Sequence, residues 1–214
     1  MGTILASAIV TSARITLLDP TPGATWTDAT FLILFNEALR KMVLVKPEVY
    51  IVQGTVDLVA GAHQALPAGG TQVVEMLQNI ASKKYVAQVS KSLLIESARF
   101  ATPATEQVDV ENYAYDSRDN ARFMVWPPNN GSGQLIGSYG DTPSIAALSN
   151  ALPIDDMFES AVKYLLLSEC YAADSTRKDT SKAAYWNTQA MQVLGLNSQS
   201  SAALAPKPGS PGGQ

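Results

Sequence analysis

Residues Pro153–Tyr171, PIDDMFESAVKYLLLSECY, decide how the rest of the chain is read. Asp155 and Asp156 fall in the first turn of a predicted helix, where carboxylates offset the positive end of the dipole. Pro153 suits the first helical position because its missing N–H would go unpaired there. Met157, Ala161, Tyr164, Ser168 and Tyr171 then follow at steps of three or four, and Phe158, Val162, Leu165 and Leu166 make a second apolar stripe beside them. One stripe about 100° wide serves an ordinary surface helix. Two stripes predict a helix covered on two sides, by its own domain and by another molecule. Phe158, Val162, Leu165 and Leu166 are therefore the expected inter-subunit face.

Working outward, the polar loop Asp174–Asp179 turns the chain, and Asp179 or Thr180 caps a last helix over 180–194 with Ala183, Trp186, Ala190 and Val193 on one face. Gly195 is its C-cap, and the two helices form an αα-hairpin. At the other end of the chain, Thr3 caps a helix over 3–18, which Asp19-Pro20 and Pro22-Gly23 stop. Thr25 with Asp28 resembles a capping box opening a helix over 26–45, with Trp26 as a core anchor. Between these helices the period changes. Val49, Ile51, Val56, Leu58 and Val59 read as a strand, Gly61–Gly70 as a hairpin tip, and Val73–Leu77 as the answering strand. Tyr85–Ile95 fits either strand or helix, with strand and a short helical turn near Ser92–Glu96 as the preferred reading. Val108–Tyr115 and Phe123–Trp126 form a second hairpin, Pro127-Pro128 and the run Asn129–Gly133 end the β excursion, and a further strand covers Gln134–Tyr139. The expected fold is α+β: one domain over 1–195, a bundle of about four helices with a small antiparallel β excursion over 48–140, then an extended C-terminal tail over 196–214.

Composition narrows the function. Of 214 residues 46% are hydrophobic and 16% charged, and the net charge of −4 speaks against a sequence-reading nucleic-acid binder, which needs clustered Lys and Arg. Cys170 is the only cysteine and His63 the only histidine, so neither a disulfide nor a zinc set can be completed. A phosphate-cradling loop is missing as well. The apolar N-terminus lacks a basic n-region, and Arg14 interrupts it short of a membrane span. No enzyme, metal, cofactor or membrane role is expected, and the protein is expected to be made in the cytoplasm. Tyr113, Tyr115, Phe123 and Trp126 leave one alternative, a carbohydrate- or peptide-binding module built on the aromatic hairpin. The tail cannot bury enough apolar surface to offset its ordering entropy, so a partner must order it. Leu204 is its anchor, and Pro206, Pro208 and Pro211 restrict the unbound chain. The small residues around His63, Gln64, Leu66 and Pro67 make a tip that shapes a contact with a subunit or a tail-side partner.

The order of the pieces resembles a known family. Trp26-Thr27-Asp28-Ala29 and Leu34–Arg40 (LFNEALR) follow the opening helix; Leu66-Pro67-Ala68-Gly69 ends the first hairpin; Tyr115-Asp116 and Arg122-Phe123 run into Trp126-Pro127-Pro128; Tyr171-Ala172-Ala173-Asp174 closes the double-faced helix before the Pro-rich tail. This resembles the head-to-tail adaptor (connector) proteins of tailed bacteriophages, short-tailed ones in particular. The resemblance implies a homo-oligomeric ring, a dodecamer, under the portal protein at the virion neck. It also implies a C-terminal segment that docks on the portal, β loops that face a tail or nozzle protein, and genomic DNA passing without sequence specificity. A mildly acidic wall would let the duplex slide.

Overall fold

A computed structural model describes residues 2–19, 25–100, 106–116, 119–173 and 177–195. Its elements, in an α+β arrangement, are α1 (Ala6–Thr16), α2 (Asp28–Val45), β1 (Ile51–Asp57), β2 (Ala60–Ala65), β3 (Gln72–Asn79), β4 (Ala87–Gln88), α3 (Lys91–Phe100), β5 (Asn112–Asp116), β6 (Asp119–Asn130), β7 (Gln134–Gly140), α4 (Glu159–Ala172) and α5 (Thr180–Val193). They divide into two compact units: a helical unit from both chain ends, 1–42 with 144–214, and a β unit, Val43–Pro143.

In the helical unit α4 packs against α5 and α1. Val162, Leu165 and Leu166 are completely buried within the chain itself, and Phe158 is half-buried. The two-stripe reading is therefore right about coverage and wrong about its source. Val162, Leu165 and Leu166 are covered by the same chain, so they are core and not an inter-subunit face. In the other stripe Met157 stays exposed, and Tyr164 and Tyr171 are half-buried. Ser168 adds a buried bond from its Oγ to the Ala183 carbonyl, 2.9 Å. Arg14, 5% exposed, holds α1 to α2: its guanidinium sits 4.4 Å above the Phe31 ring, and its Nη2 donates to Asp28 Oδ1 at 2.7 Å. Trp26 is buried edge-on to Phe31, as an anchor should be.

The helix starts differ in detail from the sequence reading. Thr27, not Thr25, opens α2, accepting the Thr30 N–H at 3.1 Å, because Asp28 is committed to Arg14. Thr3 caps nothing; its N–H and hydroxyl, with the Ile4 N–H, are taken by the Asp156 carboxylate at 2.7–3.1 Å. Asp155 is the local cap, accepting from Met157 N, before one 3-10 turn leads into α4. Asp179 caps α5 through Ser181 and Lys182 N–H groups, and Gly195 takes the left-handed position that ends it, φ +72°. Val193 is exposed and Leu194 buried in its place.

The β unit holds two sheets, β1-β7-β3 and β2-β6-β5-β4, antiparallel except for β4–β5. Val56, Val73, Met76, Leu135 and Tyr139 from the first meet Val86, Tyr113, Phe123 and Val125 from the second in one core. Three expectations fail here. Residues 60–65 are strand, not hairpin tip; β2 leaves the sheet of β1 to pair with β6, while β3 pairs with β7. Pro127-Pro128 does not end the excursion. The β2 register jumps between Gly61 and His63, leaving that stretch of β6 without a partner on that side, so two missing N–H groups cost nothing in the ladder. Within Tyr85–Ile95 only 87–88 are strand, and α3 runs on to Phe100; Ser90 Oγ accepts the Leu93 N–H to start it.

Leu165→Ala should lower stability by about 2–5 kcal/mol, as for other fully buried leucines, read from chemical denaturation of the full chain. Asp156 gives a pH test. The Thr3 hydroxyl and the Ile4 and Thr3 N–H groups hold its carboxyl below the usual carboxylate value. That contribution is present above the unfolded value and disappears as pH falls through the lowered folded value. Asp156→Asn should melt lower at neutral pH and lose less on acidification than the parent.

Candidate contact surface

The β1–β2 corner is built around one side chain. Gln64 Oε1 accepts from Val59 N at 2.7 Å, while its Nε2 donates to Val59 O at 2.8 Å and Gly61 O at 2.9 Å. After β2, the Leu66 N–H pairs with the Ala121 carbonyl and the Gly70 N–H closes a turn on Pro67 O. Gly69 holds φ +95° in that turn, and a Cβ there would lie 2.5 Å from Asp141 Oδ1, so the position needs glycine twice over.

His63, Gln64, Leu66 and Pro67 line an open cleft of about 510 Å³ together with Asp57, Val59, Ala65 and Arg122. All four tip residues singled out from sequence, His63, Gln64, Leu66 and Pro67, are brought together here. Their roles separate. His63 is exposed, Leu66 and Pro67 half-buried, and Gln64 only 3% exposed with its carboxamide committed to the corner. Gln64 is thus a brace, not a contact. Val59, 60% exposed, adds apolar surface. Asp57 accepts from Gln134 Nε2 at 2.7 Å, and Arg122 lies 3.5 Å from Asp119, so the cleft is edged by a hydrogen-bonded carboxylate and an exposed ion pair. An apolar floor edged by both signs suits docking of a loop or an extended segment.

Other residues singled out from sequence fall elsewhere. Leu204, Pro206, Pro208 and Pro211 lie outside the described residues. Tyr113 and Phe123 are 1% and 2% exposed, inside the sandwich, and Tyr115 packs against the same core, so the aromatic hairpin offers no stacking platform. The physical reason is the β5–β6 register, which pairs Tyr113 with Val125 and Tyr115 with Phe123 on the inward face. Trp126 borders a small cleft with Leu93, Leu94 and Asn112. Burial pushes the Cys170 thiol up to about 12, which makes it a poor nucleophile at neutral pH. Among the described residues no group of His, Cys, Asp and Glu is placed to hold a metal, and no helix is long and apolar enough to cross a membrane. Sequence reasoning missed Asp57, Val59 and Arg122. Val59 joins the tip through the two bonds of Gln64, and the pairing of Ala65 with Arg122 across β2 and β6 brings in Arg122.

Comparison with known families gives one match: the model described as SU10 adaptor protein aligns with residues 5–211. No curated protein matches the chain.

Gln64→Ala should cost about 1–3 kcal/mol, because both backbone groups of Val59 lose their partner, whereas His63→Ala should leave the melting temperature unchanged. Equal denaturation midpoints for the two variants would show that the corner does not depend on the carboxamide.

Proposed function

Because the chain belongs to the SU10 adaptor protein family, we propose that it works as the ring-forming head-to-tail adaptor of a tailed-phage virion, seated on the portal and receiving the tail. The protein is a structural adaptor of a bacteriophage virion, and the family match over nearly the whole chain is the observation that carries the finer reading. The role calls for surfaces, not chemistry. In this reading the cleft beside His63, Leu66 and Pro67 receives a neighbouring copy or a tail-side protein. Its exposed apolar surface beside the charges of Asp57 and Arg122 supports that use.

The tail takes the other direction. Nineteen residues follow Gly195 with a single charge, Lys207, and with three prolines after Leu204. A chain already restricted by proline loses less entropy when it is laid into a groove. Leu204, Pro206, Pro208 and Pro211 are proposed to lie on the portal protein in this way. The net charge of −4 supports passage of genomic DNA, since an acidic wall gives phosphates no place to stick. The neck of the virion, between portal and tail, is the corresponding location.

Truncation after Gly195 tests the portal arm, because α5 and its cap end there. The truncated chain should keep its melting temperature and lose most of its retention on portal-bearing capsids in a sedimentation assay. Undiminished retention would exclude the tail as the docking element.

A further inference from the structure

One stripe of α2 is exposed. Ile33, Glu37, Arg40 and Leu44 recur at steps of four, three and four, which is the spacing of a coiled-coil seam. Ile33 is 59% and Leu44 81% exposed, and Glu37 and Arg40 between them are exposed too. Asn36 and Lys41 on the flanks tie the helix to its own unit, through Ile145 and Glu169. Glu37 and Arg40 carry opposite charges one turn apart. Yet neither makes an ion pair with the other or with a described residue; Arg40 Nε donates only to the Asn36 carbonyl of its own helix.

The stripe is self-complementary. Ile33 and Leu44 lie equally far from its midpoint, as do Glu37 and Arg40 inside them. In an antiparallel helix pair, Ile33 would meet Leu44 of the partner subunit, and Glu37 would meet Arg40 of the partner subunit, each contact occurring twice. Parallel pairing in register sets Glu against Glu and Arg against Arg, and sliding the antiparallel pair by one heptad sets a charge against an apolar side chain. Only one arrangement satisfies every layer, the way polar seam positions select register in coiled coils.

We propose that the free protein pairs with a second copy of itself through this face of α2, antiparallel and two-fold symmetric. Such a contact uses the same patch on both copies and closes at two, whereas a ring needs a head-to-tail contact that repeats. The pair is therefore a form of the protein outside the ring, and it keeps Ile33 and Leu44 from water until assembly.

Sedimentation equilibrium of the full chain alone, at micromolar concentration and low salt, reads the result. The wild type should show twice the chain mass. Glu37→Arg and Arg40→Glu should each weaken pairing roughly tenfold or more, because like charges then face each other. Mixing those two variants should restore a dimer, and so should the double exchange within one chain. Leu44→Ser, which changes no charge, should also weaken pairing. A monomeric wild type, pairing unmoved by the reversals, or reversal variants that fail to pair when mixed would overturn the proposal.

Discussion

Three side-chain amides hold this fold together where its regular elements do not reach. Asn36 accepts the Ile145 N–H at 2.9 Å and donates to the Ile145 carbonyl at 3.1 Å. Asn79 does the same for Val110, both bonds at 2.8 Å, and Gln64 for Val59. A carboxamide presents a donor and an acceptor side by side, so it can pair with both groups of one residue as a neighbouring strand would. Each of these residues lies where a segment leaves a helix or sheet and its backbone would otherwise go unpaired. The first matters most, because it joins the two chain ends that make the helical unit. Around it, Leu5 bridges Ala151 and the Leu152 N–H reaches the Ile4 carbonyl. Closing a chain over a long insertion costs only logarithmically more as the insertion grows, so a β unit of this length can interrupt the sequence of a helical one.

The second consequence concerns where contacts with other molecules are made. Val162, Leu165 and Leu166 of α4 are buried within the chain itself, where α1 and α5 pack on that helix. A subunit whose core is complete in one chain can fold first and assemble afterwards through surface patches. The patches proposed for that assembly are the β1–β2 cleft and the outer stripe of α2. Both combine exposed aliphatic side chains with a few charges, the composition of a contact that can form and be replaced.

The terminal helices were legible because their period, caps and stops are local. Asp179 and Gly195 end α5 as their chemistry dictates, and Pro153 with Asp155 announces α4. The β5–β6 hairpin and β7 were legible for the same reason. Pairing was not. Nothing local says that β7 runs between β1 and β3, or that β2 crosses to the other sheet, because register is settled by which inward faces meet. Helix α3 was legible only as a short turn near Ser92–Glu96, because Leu93-Leu94-Ile95 is a run without a helical period, and only Leu94 is buried. In the cleft, Leu66 and Pro67 stood out through turn chemistry. The bracing role of Gln64 did not, since the partner of an amide is a matter of tertiary position.

The claim on which the account rests is that this chain stands at the junction of capsid and tail. Electron cryomicroscopy of the assembled virion tests it most directly, since the helical and β units should be recognisable in the density. A closed ring of this chain between portal and tail is the predicted result. A neck built without it, or its density found on the capsid surface or at the far end of the tail, would contradict the account.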